Sequence, residues 1–229
     1  MGLFNRTVKV ADSCLFQGRT DWHCHILPGV DDGFKTMKDS LAALALYERA
    51  GILEVWLTPH VMEDIPNTTA FLKERFAELQ EAYKGYIVLH LASENMMDPL
   101  FEDRLAAGDL LPLSENRLLV ETSYFNPPID LDGILASVKS HGYFPLLAHP
   151  ERYMYMDMRH YRRLKANKIE FQLNISSLAG AYGSTVKAKA EALLKAGMYN
   201  YSGTDLHRVS SMEHLLEAEV RKKYLALVP

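Results

Sequence analysis

Segments with helical periodicity alternate along this chain with short apolar runs that are typical of strands. Residues 38–50 place Leu41 and Leu44 on one helical face, and Gly51 follows as a helix-stop signal. The next run, 54–60, is rich in residues that favour strands and contains a proline near its end. The same alternation continues along the chain, so the pattern predicts repeated strand-helix units.

These units predict a parallel sheet that is covered by helices. About seven of them fit into roughly 200 residues, and their even spacing without a linker favours one barrel-like domain. The chain has no glycine-rich GxGxxG or Walker motif, so a nucleotide-binding sheet lacks its usual signal. The predicted strands span 18–25, 54–60, 87–94, 117–122, 144–150, 171–175 and 199–205, and predicted helices lie at 38–50, around 69–83, at 99–107, around 134–141, at 161–168, around 186–196 and at 210–223.

Composition excludes several classes of function. The net charge is −4 and the longest basic run is Arg221 to Lys223, which argues against a nucleic-acid groove. The sequence contains no uninterrupted stretch of roughly 18 apolar residues, so it predicts no membrane span. The two cysteines, Cys14 and Cys24, form no disulfide framework, so we expect a cytoplasmic, reducing environment. Neither cysteine has the arginine six positions later that a cysteine-based phosphatase needs.

The segment 21–33 carries the first chemical signal. His23 and His25 are two residues apart, so a strand would point both imidazoles to the same side. Turns at Pro28 and Gly33 can bring Asp31 or Asp32 back towards them. This spacing suits a metal site, and the alternative is one surface histidine and one core histidine.

Nearly every predicted strand ends in a potential metal ligand. In a parallel barrel, the carboxyl ends of all strands share one face, so residues that are far apart in sequence would meet there. The donors are nitrogen and oxygen, without a thiolate cluster, which suits two or three manganese, iron or zinc ions and phosphoryl transfer. The strand-end candidates are His23, His25, His60, Glu94, Glu121, His149, Asp205 and His207. The other histidines are read as structural or surface residues: His90, His141, His160 and His214.

Five motifs together resemble a known family. They are DWHCHILPGVDDG at 21–33, TPH at 58–60, HPERY at 149–153, QLN at 172–174 and GTDLH at 203–207. Over about residues 18–210 they resemble the polymerase-and-histidinol-phosphatase (PHP) superfamily, and within it the bacterial metal-dependent protein-tyrosine phosphatases of capsule and exopolysaccharide operons. The resemblance implies a distorted (β/α)7 TIM-like barrel of the PHP type, with 1–229 as a single domain and 1–17 as an N-terminal extension.

The resemblance also implies a cofactor and residue roles. It implies three divalent metal ions, most often manganese, with iron or zinc as alternatives. Arg152 corresponds to an arginine that binds the substrate phosphate, for which its planar, permanently charged guanidinium is suited. The first ion would take His23, His25, Glu94 and Asp205, the second Glu94, Glu121 and His149, and the third Asp32, His60 and His207.

Other residues near the predicted strand ends leave alternatives open. Tyr124 and Tyr153 either contact the phenyl ring of a substrate or pack within loops. Arg208 replaces an asparagine that relatives often carry, and it either adds a second phosphate contact or points to solvent. Asn95, after Glu94, is a further departure from the family pattern.

The function that the resemblance implies is hydrolysis of phosphotyrosine on a protein. The expected substrate is the tyrosine-rich tail of a bacterial tyrosine kinase that controls polysaccharide synthesis. Two alternatives stay open, which are a phosphatase for a small ester such as histidinol phosphate and a non-catalytic module that binds the kinase tail. The sequence identifies neither the general acid nor the oligomeric state.

Overall fold

Strands and helices alternate along residues 6–229, the part of the chain that the computed structural model describes. The strands are β1 (Thr7–Lys9), β2 (Thr20–Cys24), β3 (Glu54–Leu57), β4 (His60–Val61), β5 (Val88–Leu91), β6 (Glu94–Met96), β7 (Arg117–Glu121), β8 (Phe144–Ala148), β9 (Glu170–Asn174), β10 (Tyr201–Gly203) and β11 (Glu219–Arg221). The helices are α1 (Met37–Ala50), α2 (Thr69–Ala82), α3 (Phe101–Ala107), α4 (Leu131–Ser140), α5 (Met158–Ala166), α6 (Ile175–Ala179), α7 (Ser184–Lys195), α8 (Val209–Glu217) and α9 (Lys222–Leu225).

Two parallel sheets form the centre of the protein. Six strands pair in the order β10-β9-β8-β7-β6-β4, and three pair in the order β2-β3-β5. A parallel bridge between Cys24 and Leu206 joins β2 to the segment after β10, with a backbone hydrogen bond of 2.9 Å from the His25 N–H to the Leu206 carbonyl. The chain is therefore a single α/β domain with a curled parallel sheet.

The two faces of the sheet contact different apolar groups. In β8, Leu147 belongs to the large core that the helices cover, whereas Leu146 and Ala148 belong to a small separate cluster. Trp22 and Trp56 pack against that small cluster and stack on each other with ring centroids 5.8 Å apart. Because side chains alternate along a strand, one face packs under the helices and the other fills the inside of the curl.

Local capping explains where the helices begin and end. The Thr36 hydroxyl accepts a hydrogen bond from the Asp39 N–H at the start of α1, and Gly51 ends this helix in the left-handed conformation. Helix α5 begins three residues earlier than the predicted 161, because Asp157 and His160 form a capping box. These capping interactions involve only one or two side chains each. They therefore determine where a helix begins and ends more than whether it forms.

The predicted closing helix at 210–223 is wrong. Helix α8 ends at Glu217, the chain continues as β11, and α9 is a separate short helix. Strand β11 pairs antiparallel with β1, with Val8 opposite Val220, and Val220 is buried. Pairing with a strand from the other end of the chain therefore overrides the local helical preference of this segment.

The N-terminal segment packs against the domain. Within the predicted extension 1–17, residues 1–5 lie outside the described residues, and Val10, Leu15 and Phe16 belong to the core. Among the described residues, no helix is long and apolar enough to cross a membrane.

Candidate metal centre and substrate cavity

The first group of donors joins β2, β6 and the segment after β10. The Glu94 Oε2 atom lies 3.2 Å from His23 Nε2 and 3.3 Å from His25 Nε2. Asp205 Oδ1 lies 3.5 Å and 3.3 Å from the same two nitrogens. All four side chains are buried, and one donor atom from each lies within 4.8 Å of the others. This group contains the four residues predicted for a first ion.

The second group lies around the carboxylates of β6 and β7. His60 Nδ1 lies 3.1 Å from Glu94 Oε2 and 2.9 Å from Glu121 Oε1. His149 Nε2 lies 3.0 Å from Glu94 Oε1 and 3.8 Å from Glu121 Oε2. The structure thus brings together Glu94, Glu121 and His149, and it adds His60 on the other side of the carboxylates.

The third group contains Asp32, and the neighbouring Asp31 lies outside it. Asp32 Oδ1 lies 3.6 Å from His60 Nε2 and 3.4 Å from His207 Nε2, and His25 completes this group. Asp31 instead places Oδ2 2.8 Å from His25 Nδ1 and accepts a hydrogen bond from the His60 N–H. Asp32 can therefore supply an oxygen to an ion, whereas Asp31 orients the His25 imidazole and holds the backbone of His60.

The three groups fit divalent ions. Buried polar atoms normally have partners, yet His60 Nδ1, Glu94 Oε2 and Glu121 Oε1 have no hydrogen-bond partner among the described residues. These three atoms point at one another, an arrangement of buried donors that would hold a divalent ion. Imidazole nitrogen and carboxylate oxygen are the donors that zinc, iron and manganese accept in proteins.

The buried charges shift one another's pKa. Burial alone would lower the pKa of His23, but the negative charges of Glu94 and Asp205 outweigh it and raise that pKa to about 9. Burial would raise the pKa of Glu94, but His23 and His60 hold it well below its usual range. Because metal ligands must be deprotonated, divalent ions compete with protons for these imidazoles.

Backbone strain is found at two of the candidate ligands. His149 has a φ angle of 35° and Asp205 has one of 53°. Both lie in the left-handed region, which residues other than glycine rarely adopt. Each follows a strand directly or within two residues, so the strain turns the side chain towards the centre. Such strain is common at functional sites because the surrounding structure has to maintain it.

Arg152 lies between two aromatic rings beside this centre. Its guanidinium carbon is 4.2 Å from the ring centroid of Tyr124 and 4.2 Å from that of Tyr182. Its Nη1 donates to Asp205 Oδ2 at 2.8 Å, and the Asn174 side chain donates to the same oxygen at 2.8 Å. The two rings and the Asp205 carboxylate therefore hold the guanidinium beside the donor groups.

A cavity of about 670 Å³ opens beside Arg152 and the candidate ligands. Asp32, His60, His149, Asp205 and His207 lie in its wall, together with Tyr124 and Tyr182 on either side of Arg152. The exposed Arg208 side chain lies at the same cavity, and Ser211 and His214 of α8 form its far side.

Tyr153, predicted to contact substrate, has no exposed surface. Its hydroxyl donates to the Ala148 carbonyl at 2.9 Å and accepts from the Thr122 N–H at 3.3 Å. It supports the ends of β7 and β8 and does not line the cavity. Asn95 is also buried and holds the Leu119 carbonyl.

Sequence reasoning gave no role to Tyr182 and Asn174. Tyr182 lies in the loop between α6 and α7, between Gly180 and Gly183, and its hydroxyl accepts a hydrogen bond from Asn174. Asn174 belongs to one of the motifs, and its position near the end of the predicted strand 171–175 was the available signal. Tyr182 had no such signal because a loop of its own carries it to Arg152.

The fold and this site define a class of protein, an α/β domain that gathers histidine and carboxylate donors at the carboxyl ends of its parallel strands. Within this class, the chain belongs to the family described as capsular polysaccharide synthesis, CpsB/CapC, whose model matches residues 19–224. The resemblance drawn from the sequence motifs is thereby confirmed.

Relatives with known names support this assignment. The tyrosine-protein phosphatase YwqE of Bacillus subtilis is 30% identical over 208 residues, which are 86% of this chain and 81% of the relative. The tyrosine-protein phosphatase CpsB of Streptococcus agalactiae is 26% identical over 219 residues, covering 90% of this chain and 86% of the relative.

Solved structures agree with the fold. A chain from the crystal structures of YwqE from Bacillus subtilis and CpsB from Streptococcus pneumoniae, described as unique metal-dependent tyrosine phosphatases, matches with a TM-score of 0.79 and 25% identity. The match covers 90% of this chain and 84% of that one. The phosphotriesterase homology protein from Escherichia coli shares the fold alone, with a TM-score of 0.50 and 12% identity over 85% of this chain and 84% of that one.

Proposed function

We propose that this protein is a metal-dependent protein-tyrosine phosphatase. The observation that carries the proposal is the convergence of nine nitrogen and oxygen donor side chains in one cluster, five of which line the same cavity as Arg152. The family relatives, which are tyrosine-protein phosphatases, support the same reaction. The nine residues are His23, His25, Asp32, His60, Glu94, Glu121, His149, Asp205 and His207.

The residues present fit three divalent ions, for which we propose manganese. When bound, such ions lower the pKa of water and offset negative charge on a phosphate. Glu94 is the residue that two ions would share, since its two oxygens face different imidazoles. The first ion would be held by His23, His25, Glu94 and Asp205, the second by Glu94, Glu121 and His149, and the third by Asp32, His60 and His207.

Arg152 binds the phosphate of the substrate in this proposal. Its pKa is raised, because Asp205 and other negative groups outweigh the effect of its burial, so it stays charged. The ring faces of Tyr124 and Tyr182 and the carboxylate of Asp205 fix its orientation. The N–H groups at the edge of a planar guanidinium can donate two parallel hydrogen bonds to phosphate oxygens. Its positive charge can also offset the negative charge that develops on these oxygens during transfer.

The leaving group explains why an obvious general acid is not required. A tyrosine phenolate has an ordinary pKa of about 10, far below that of an alkyl alcohol. It therefore departs from phosphorus with less help from a proton donor. This favours phosphotyrosine over an alkyl phosphate such as histidinol phosphate.

The setting of the enzyme is part of the same proposal. The strands of both sheets and the bridge at Cys24 support a distorted (β/α)7 barrel, with residues 1–229 as one phosphatase domain. The substrate would be the tyrosine-rich tail of a bacterial tyrosine kinase that controls capsule or exopolysaccharide synthesis. Cys14 and Cys24 are free thiols, which suits a cytoplasmic location.

Metal removal tests the reaction and the cofactor together. Protein treated with a chelator and then desalted is expected to lose hydrolysis of a phosphotyrosine peptide and to regain it with manganese. Histidinol phosphate, assayed in parallel, is expected to be hydrolysed much more slowly. Full activity in excess chelator, with no metal by elemental analysis, would refute the metal-dependent mechanism. Peptide binding without any turnover would support a binding module instead.

Two substitutions separate metal binding from phosphate binding. His149→Ala removes one donor, so we expect the affinity for manganese, measured by titration, to fall by about tenfold or more. Arg152→Ala removes a charged hydrogen-bond donor, so we expect KM to rise by about tenfold or more with metal content unchanged. Unchanged metal affinity in the first variant and unchanged kinetics in the second would contradict these assignments.

A further inference from the structure

Three exposed apolar side chains lie in the loops that follow β7 and β8, near the cavity that Arg152 lines. They are Phe125, Ile129 and Met154, with exposed fractions of 73%, 108% and 48%, and together they are here called the apolar ledge. The ledge is next to Tyr124 in the cavity wall, because the Met154 N–H donates to the Tyr124 carbonyl at 2.7 Å. Isolated apolar side chains are common on protein surfaces, but a group beside an active site indicates contact with a ligand.

The ledge leads to a second, smaller cavity of about 270 Å³, here called the side cavity. Its charged lining groups already have partners, since Arg163 pairs with Asp132 at 3.4 Å and His160 pairs with Asp157 at 2.8 Å. An apolar side chain can therefore enter without leaving a charge unpaired. The apolar part of its lining is formed by Pro127, Pro128, Ile129, Leu131, Met156 and Leu164.

The distance between the two cavities matches a short peptide. Tyr124 lines the first cavity and Pro127 lines the second, so the two lining residues are three positions apart in the chain and at most about 11 Å apart. A substrate chain in extended conformation advances about 3.3 Å per residue. A side chain about three positions from a phosphotyrosine can therefore reach the side cavity while the phosphate contacts Arg152.

We infer that the ledge and the side cavity bind an apolar residue of the substrate polypeptide on one side of the phosphotyrosine. This inference rests on the proposed function, and it makes the enzyme selective for the sequence around the phosphorylated residue. The occupant is a segment of a protein substrate. Because the ledge lies next to the cavity that Arg152 lines, one polypeptide can place its phosphotyrosine at Arg152 and its apolar residue in the side cavity.

The test uses the full-length, manganese-loaded protein and a set of synthetic peptides. Each peptide carries one phosphotyrosine in a glycine-serine background, with a single leucine at one of about four positions on either side. Free phosphotyrosine is the reference substrate. The wild type is expected to show kcat/KM about tenfold higher for leucine at one position, near the third, than for the parent peptide.

Two variants locate this preference on the ledge. Phe125→Ser and Ile129→Ser change exposed side chains and are expected to reduce the leucine preference to about threefold or less. Phe144→Ser is the matched control, because Phe144 is 59% exposed but starts β8 at the opposite end of the strands. The control is expected to keep the full preference. Thermal unfolding of each variant excludes a loss of folded protein.

The outcomes distinguish this inference from the function on which it rests. Hydrolysis of free phosphotyrosine without a leucine preference at any position would overturn the ledge and leave the phosphatase intact. A preference that persists in both ledge variants, or disappears in Phe144→Ser, would also overturn it. No hydrolysis of free phosphotyrosine with manganese would refute the proposed function itself.

Discussion

The two oxygens of Asp205 face different partners. Oδ1 lies 3.5 Å from His23 Nε2 and 3.3 Å from His25 Nε2, whereas Oδ2 accepts hydrogen bonds from Arg152 and Asn174. One carboxylate thus connects the candidate metal centre to the candidate phosphate-binding arginine. A substitution of Asp205 would therefore alter metal binding and substrate binding together. A substitution that tests phosphate binding alone has to leave the candidate metal ligands in place.

Tyr182 allows such a test, because it contacts Arg152 and is not a candidate metal ligand. Removing its ring by Tyr182→Ala exposes one face of Arg152 and allows the guanidinium to move, so we expect KM for phosphotyrosine to rise about threefold to tenfold. Tyr182→Phe keeps the ring and loses only the hydroxyl that accepts from Asn174. It is expected to retain KM within about twofold of the wild type.

The measurement is steady-state kinetics with inhibition by inorganic phosphate as a second readout. Weaker phosphate inhibition in Tyr182→Ala, with manganese content unchanged, would place the effect at Arg152. Equal loss in both variants, or a lower kcat with KM unchanged, would show that the ring does not position the arginine.

Sequence reasoning finds residues whose position follows from strand geometry. His23 and His25 share a side because side chains alternate along a strand, and His149 was found because it lies near the end of a predicted strand. The choice between Asp31 and Asp32 depends on the geometry of one turn, which the sequence does not specify. Tyr182 escaped prediction because its loop brings it to Arg152 from outside the strand pattern.

At the scale of elements, long-range pairing decides what local preference leaves open. The predicted strands 54–60 and 87–94 are each two short strands, because the chain leaves one sheet and joins the other within each run. Residues 219–221 lie within the predicted helix 210–223 but form β11, since β1 supplies a partner strand from the other end of the chain. A local pattern cannot reveal that partner.

The β1-β11 pair makes a prediction about stability. The Val10 N–H donates to the Ala218 carbonyl, so the antiparallel alternation makes Val8 and Val220 a hydrogen-bonded pair. Val8→Pro removes this N–H and leaves a buried acceptor, at a cost of about 1–3 kcal/mol. We expect Tm to fall by about 2–12 °C.

Thr7→Pro is the control for this change, because the alternation directs the Thr7 N–H away from β11. Differential scanning calorimetry of both variants in the same buffer makes the comparison. A fall in Tm in Thr7→Pro as large as that in Val8→Pro would mean that chain stiffness, and not the ladder hydrogen bond, causes the loss.

At the scale of the whole molecule, the candidate centre connects distant parts of the sheets. Its donors lie in β2 and directly after it, begin β4 and β6, end β7 and follow β8 and β10, so bound ions would link strands from both sheets. Ions that bind only the folded protein stabilise it, by about 2.7 kcal/mol at a hundredfold excess over Kd. For a chain of this length, that corresponds to a rise in Tm of about 5–10 °C.

The metal-dependent rise in Tm is expected to grow with pH. Without metal, the pKa of His23 is raised to about 9 by Glu94 and Asp205, against the opposing effect of burial. A raised pKa contributes stability that is complete below the unfolded value of about 6.5 and is lost as the pH rises towards 9. Metal binding requires the deprotonated imidazole, so apparent affinity increases over the same interval. The metal-free protein therefore loses Tm between pH 6.5 and 8.5, while the difference made by manganese increases.

Thermal unfolding at several pH values, with manganese or with chelator, measures two slopes. They are the change with pH in the Tm of the metal-free protein and the change with pH in the rise in Tm that manganese causes. His23→Gln cannot take up this proton, so the fall in Tm of its metal-free form with pH should be smaller than in the wild type. His141→Gln is the matched control, because His141 is exposed at the end of α4 and its ring contacts the Ser137 carbonyl. It should show both wild-type slopes. A manganese effect that is independent of pH in the wild type would mean that the metal-free centre does not hold the proton on His23.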